Sequence, residues 1–304
     1  MTGDSATAVR EPRLTTEAEV SRAIQDGMTI AVGGFINAAH PMSLVRRIIA
    51  DRKKDLTVVG AASAGLEIDL LISGGCVRKV VTPYVGAEGL VGIGPAFRHA
   101  AQQGLIETFD LDEAHFYAGL RAAAQRLPFN PWRAGVGTSF PIINPALREF
   151  RDPVRNELLL AIPAIDIDVC LLHAARSDVY GNVQHNGTRY GDVAMYGAAE
   201  LTFVSVEEIV SPERIRANPA ATSIPGADGI IRAPFGCHPF SSDGYYVPDI
   251  DHLEDFIAAT SQWLKTGSRT RLDEYLNTYV YEAKDHIDYL ERIGMRALLG
   301  LAEV

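Results

Sequence analysis

Residues 26–41, DGMTIAVGGFINAAHP, run a short β-branched segment (Thr29, Ile30, Ala31, Val32) straight into Gly33, Gly34 and Phe35. Such a segment predicts a buried strand. Two glycines at its end remove two Cβ atoms where backbone amides turn outward, so an anionic or carbonyl oxygen of a ligand could approach the N–H donors. The bland alternative is a tight strand-to-helix turn with nothing bound, and glycines by themselves favour it. After the loop, PMSLVRRIIADR (41–52) places proline at the first helical turn and repeats apolar residues at helical spacing. The opening unit is therefore strand, glycine turn, helix.

The same alternation continues outward. LTVVG (56–60) and VRKVVT (77–82) predict strands, and DEAHFYAGLRAAAQRL (112–127) predicts a helix stopped by Pro128. ELLLAIP, DVCLLHAA and LTFVSVEEIV predict further strands, separated by Gly/Asn-rich turns such as DVYGNVQHNGTRYGD (178–192). From about Asp251 the tail is mostly helical, in DHLEDFIAATSQWLKTG, RLDEYLNTYVYEAKD and HIDYLERIGMRALL. No linker-like shift in composition and no internal repeat interrupts this order. The expected fold is α/β: one domain over residues 1–304, an open parallel sheet flanked by helices, with residues 251–304 as helical cladding.

With 304 residues, 47% of them hydrophobic, the chain can bury a full core. A formal net charge of -10 argues against nucleic acid and against anionic membrane surfaces as partners. The longest apolar runs, such as LLLAIPAI (158–165), fall short of the ~20 residues that span a bilayer, and Asp4, Arg10 and Glu11 stand where a signal peptide would be apolar. A cytoplasmic location is expected. Cys76, Cys170 and Cys237 are odd in number and widely spaced, which disfavours a disulfide framework and points to buried or semi-buried thiols. No metal site is expected, since nothing has metal-ligand spacing.

The glycine stretch resembles the signature of the family I coenzyme A transferases, on the subunit called alpha or A. Asp26, Gly27, Ile30, Ala31, Val32, Gly33, Gly34, Phe35 and Pro41 fit it, whereas Ala39 takes a position that is usually glycine. LRAAAQRLPFNPWRAGVGTSF (120–140), IPGADGIIRAPFGCHPFSSDGYY (224–246) and the closing KDHIDYLERIGMRALLGL are similar to the A subunit of glutaconate coenzyme A transferase. The resemblance covers nearly the whole chain. It implies transfer of coenzyme A between carboxylic acids, with the acyl-CoA thioester as substrate and no bound cofactor. It also implies that a glutamate of a separate B subunit is the nucleophile, because the family's Ser-Glu-Asn-Gly is absent from these residues. The expected assembly is a heterotetramer or larger, with the pocket between subunits. The backbone around Gly33, Gly34 and Phe35 would then offer donors to the thioester oxygen or help seat the acyl group, and His40 could contact a substrate carboxylate.

Aligned on the Leu-Arg-Ala-Ala that follows, Glu113 stands where the A subunits of these transferases carry a substrate-binding glutamine. An ionised carboxylate accepts hydrogen bonds and cannot donate them, so Glu113 is suited to taking a proton. In this respect the chain resembles the A subunit of the bacterial steroid ring-cleaving CoA-thioester hydrolase, although that branch's Arg-Arg-Lys-Pro is replaced here by Ala38, Ala39, His40 and Pro41. Glu113 as a plain helix-start residue, complementing the helix dipole, explains the position equally well. A ligand-sensing module without catalysis is a third expectation, on fold grounds alone.

Overall fold

The computed structural model of the chain describes residues 10–302. β1 (Thr29–Val32), β2 (Leu56–Val59), β3 (Val77–Val81) and the short β4 (Glu107–Thr108) lie side by side in chain order, every pair parallel. Next, β5 (Phe129–Trp132), β6 (Arg148–Arg151) and β7 (Leu158–Pro163) form a separate antiparallel sheet in the order β5-β7-β6. The chain returns through β8 (Ile167–Ser177), β9 (Asn182–Gln184), β10 (Ala199–Ile209), β11 (Thr222–Pro225) and β12 (Gly229–Arg232). β8 pairs with the free edge of β1, β10 with β8 and β12 with β10, all parallel, while β9 and β11 add antiparallel pairing beyond the end of β1.

The expected open parallel sheet is therefore present, in a nine-stranded sheet. Its central strands are buried on both faces, as crossover helices require, while the edge strand β4 is exposed. Successive residues of β1 show this: Ile30 and Val32 point into one apolar cluster and Ala31 into another. The first cluster gathers the helices Met42–Ala50, Leu66–Ser73 and Pro95–Gln102 with the C-terminal helix Ile250–Thr266. The second contains Phe116 and Leu120 of the helix Glu113–Ala124 and Met195 of the helix Asp192–Ala198.

The strand expected in ELLLAIP is present, as β7 of the small antiparallel sheet, with its own apolar cluster of Ala118, Leu147, Leu160 and Ile162. One expectation needs correction. The helix expected to reach Leu127 ends at Ala124, because Arg126 turns into the left-handed region at φ 56° before Pro128 is met.

The tail is helical as expected, in Ile250–Thr266, Thr270–Leu276, His286–Ile293 and Met295–Ala302. A buried polar seam fastens it to the first crossover helix. The Arg46 guanidinium donates to the His238 carbonyl (2.8 Å), lies 3.2 Å from His286 Nδ1 and stacks 3.5 Å from the Tyr289 ring centroid. The Tyr275 hydroxyl meets His252 Nε2 at 2.8 Å, and the Tyr289 hydroxyl meets His238 Nδ1 at 2.7 Å. Burial pulls His252 and His286 down to about 3 and lowers His238 as well. All three cysteines are buried free thiols. Among the described residues no helix is long and apolar enough to cross a membrane.

Candidate functional site

The chain lays β2, β3 and β4 on one side of β1 and then β8, β10 and β12 on the other. Strand order reverses between β1 and β8, and in open α/β sheets the crevice beyond the carboxyl ends of such strands is where ligands bind. The loop from Gly33 to His40 leaves β1 at that point. A wide concavity lies elsewhere, lined by Phe129, Trp132, Phe150 and Val154 of the small sheet and its connections. Its Arg133 and Glu157 are already paired with each other, so topology locates the site better than size does.

The loop is crowded, not open. A Cβ on Gly33 would stand 2.4 Å from Leu172 Cδ2 and 2.6 Å from Asp192 Oδ1, and Gly34 adopts φ +102°. Glycine is required at both positions, at the first for space and at the second for backbone conformation. The Gly33 N–H donates to Leu171 O (2.9 Å), the Gly34 N–H to Asp192 Oδ1 (3.0 Å) and the Phe35 N–H to Ala38 O (2.8 Å). Of the two roles expected for this backbone, donating to a substrate oxygen meets amides that each already have an acceptor in the chain, while seating the acyl group is compatible with these bonds. β8 supplies the first acceptor by running past the end of β1, and the buried carboxylate of Asp192 supplies the second. Asp192 also holds His185 Nε2 at 3.1 Å through its other oxygen, and His185 Nδ1 lies 2.7 Å from Ser223 Oγ.

His40 is corrected too. Its ring is fully buried and faces the inside of the loop, with Nδ1 2.8 Å from Gly33 O and Nε2 3.1 Å from Ile36 O. It braces the loop and does not reach the crevice. Glu67 Oε2 stands 3.3 Å from Nδ1, while Glu67 Oε1 accepts the Gly65 N–H at 3.1 Å. Burial, outweighing the Ile36 and Gly33 carbonyls and the Asp192 charge that favour a proton, pulls His40 down to about 4; burial, outweighing the amides that Glu67 accepts, pushes Glu67 up to about 8. Around this ring the backbone is strained: Ile36 sits at φ 49° and Ala39 at φ 61°. A β-branched residue in the left-handed region is an outlier, and such strain collects at functional sites.

Glu113 is the first residue of its helix, whose N-cap Asp112 accepts the His115 N–H at 2.7 Å. Its side chain is exposed and reaches toward the end of β2, where Ser63 Oγ donates to Oε1 at 3.1 Å. The Ser63 carbonyl in turn accepts the Ile36 N–H at 2.9 Å, so one serine joins Glu113 to the glycine loop. One helical turn on, Tyr117 has its hydroxyl pushed up by burial and by the charges of Glu113 and Asp192. Phe35 stacks on Tyr190 at 5.2 Å, an aromatic pair on the glycine loop. The structure brings Gly33, Gly34, Phe35 and Glu113 together, with His40 behind them. An exposed carboxylate with one hydroxyl donor can orient a polar substrate group, hold water or accept a proton.

Ser63, Glu67, Tyr190 and Asp192 are not signalled as site residues by the sequence. Only Glu67 carries a local sign, being one of two carboxylates, with Asp69, in the mostly apolar helix LEIDLLIS, where a charge needs a partner. Tyr190 and Asp192 lie in a Gly/Asn-rich stretch that reads as plain turn.

A family model described as Coenzyme A transferase matches residues 13–228. The chain is 34% identical to a protein of Archaeoglobus fulgidus that bears no functional name, covering 92% of this chain and 62% of that one. It is 29% identical to the A subunit of the glutaconate CoA-transferase of Acidaminococcus fermentans, over 96% of this chain and 94% of the relative. The crystal structure of that transferase superposes with a TM-score of 0.89 at 28% identity, covering 96% of both chains. The cholesterol ring-cleaving hydrolase IpdA subunit of Mycobacterium tuberculosis is 35% identical over 84% of this chain and 89% of its own.

Proposed function

The chain belongs to the coenzyme A transferase family, and from that premise we propose that it is the A subunit of an enzyme moving coenzyme A between carboxylic acids. The observation that carries this proposal is the strained glycine loop at the reversal of strand order, with Glu113 one serine hydroxyl away. A separate B subunit supplies the nucleophilic glutamate, which attacks the thioester and later carries coenzyme A itself. The present chain supplies one wall of the pocket. Glu113 and Ser63 orient the acyl end or the acceptor, and the Phe35–Tyr190 stack excludes water. Because the loop amides are engaged within the chain, the loop serves as a rigid floor, and the donors for the thioester oxygen come from elsewhere in the assembly. Acyl-CoA and a carboxylate are the substrates, in one cytoplasmic hetero-oligomeric enzyme to which this chain contributes a single domain.

Hydrolysis is favoured by one observation, that Glu113 is an exposed acceptor-only group in a chain similar to the ring-cleaving hydrolase subunit. The Glu113→Gln variant, assembled with the B subunit, separates the two activities. A transferase keeps its rate within about tenfold and accumulates a hydroxylamine-sensitive thioester on the partner's glutamate. Loss of ~10²–10⁴ in rate, with no such thioester, would assign Glu113 as the general base of a hydrolase.

A further inference from the structure

Both nitrogens of the His40 ring face acceptors. Nδ1 points at Gly33 O (2.8 Å) and Nε2 at Ile36 O (3.1 Å), and a carbonyl oxygen has no hydrogen to give. A neutral imidazole carries a single N–H, so either tautomer would set a nitrogen lone pair against a carbonyl lone pair. The third neighbour is Glu67 Oε2, 3.3 Å from Nδ1, which makes no hydrogen bond within the described residues. The fourth is the edge of Phe240, 4.6 Å away between centroids, and Asp192 contributes a more distant negative charge. Behind Glu67 lie the Gly65 N–H, which it accepts, and Asp69, whose oxygens are bound by the amides of Ala96 and Phe97.

We infer that His40 is held as an imidazolium by the Glu67 carboxylate, and that this buried pair fixes the strained glycine loop, making His40 a positioning residue for the proposed site. Two ring N–H groups then satisfy two carbonyls that no other side chain reaches in this loop. The peptide between Gly33 and Gly34 is gripped at both ends, its carbonyl by a cation and its N–H by the Asp192 anion. Left-handed Ile36 and Ala39 persist because these bonds over-determine the backbone around them. Burial opposes charge on each partner taken singly, even with the neighbouring carbonyls and amides counted, but a charged pair with every donor used is the arrangement in which burial is tolerated.

The experiment is ring-nitrogen NMR on the full-length chain, alone and assembled with its B subunit, after labelling histidine with ¹⁵N. At pH 7 one ring, absent from the spectrum of His40→Asn, is expected to show both nitrogens protonated. In Glu67→Gln the same ring is expected to become a neutral tautomer with one bare nitrogen. A bare nitrogen on His40 in the unmodified chain overturns the inference, and that spectrum decides it even if a variant does not fold. So does a ring that stays doubly protonated in Glu67→Gln. The positioning role rests on the transferase function proposed above and has its own readout. Glu67→Gln is expected to lower kcat at least tenfold with KM for acyl-CoA within twofold, and Glu67→Asp to restore part of it. An unchanged kcat overturns the positioning role while leaving the ring's charge, read by NMR, as a separate result.

Discussion

His40 and His252 are both buried rings, yet the company each keeps is different in kind. His40 has two carbonyls and a carboxylate around it, all acceptors. His252 has the Tyr275 hydroxyl 2.8 Å from Nε2 and is kept from charging first by burial, then by His238 and the Arg46 guanidinium, against the opposite pull of Asp249 and Asp255. Depth of burial is similar, so the donor or acceptor character of the neighbours decides what each ring can be. At the loop a cation is useful, because it ties down backbone that would otherwise relax. In the tail a second cation is disfavoured, because burial and the Arg46 guanidinium already in that interior outweigh the pull of Asp249 and Asp255.

The contrast can be broken most forcefully at the loop. Gly33→Ala drives a Cβ to 2.4 Å from Leu172 and 2.6 Å from Asp192, and so unseats the carboxylate that holds Gly34. Overpacking of this kind costs about 1–3 kcal/mol. Transfer activity of the assembled enzyme is expected to fall by more than a hundredfold, while the proton positions of the tail histidines stay unchanged by NMR. A variant that keeps its rate would show that the loop tolerates movement.

The tail is sharpened by acid. His252 and His286, held down to about 3 by burial, are neutral in the folded chain, whereas unfolding frees them to bind protons below about 6.5. Stability contributed by neutral burial is present above pH 6.5 and is lost as pH falls from there toward 3, by about 1.4 kcal/mol per pH unit for each ring. Asp69, pushed up to about 7 by burial, contributes with the opposite slope. The comparison is therefore made between the parent chain and His252→Gln in urea unfolding at pH 7, 6 and 5. The variant's acid slope is expected to be shallower by one proton, and identical slopes would refute the neutral assignment.

The smallest effect tests strain alone. Ala39 at φ 61° bears a left-handed cost of about 1–2 kcal/mol, and replacement by glycine adds about 0.5–1 kcal/mol of chain entropy to lose. Ala39→Gly is expected to stabilise by about 0.5 kcal/mol, read as a rise in urea midpoint at constant slope.

The strands of the parallel sheet are legible because burial on two faces writes itself as unbroken β-branched runs, as in TIAV and LTVV. β5 and β6 are not, since FNPW contains a proline and REFR alternates charges on an exposed edge. β7 reads as a strand but gives no hint of its separate sheet, because an apolar run does not state its partner. At the site, the glycines and Glu113 announce a location, whereas the amides' acceptors lie far away in sequence: Leu171 and Asp192 approach only when β8 and the helix after it fold back. His40 reads as a loop histidine because nothing local reveals that Gly33 and Ile36 turn their carbonyls inward onto it.

β8 is the strand on which the two halves of the sheet meet, and its place late in the chain has a consequence for synthesis. β1 finds β2 soon after emerging from a ribosome, but its other edge must wait for Ile30 to meet Val169. At about 5–20 residues per second, that delay is roughly 7–30 s. Throughout it, an apolar strand with unpaired backbone groups stands open in the cell, and the nascent N-terminal half is a natural client for a chaperone.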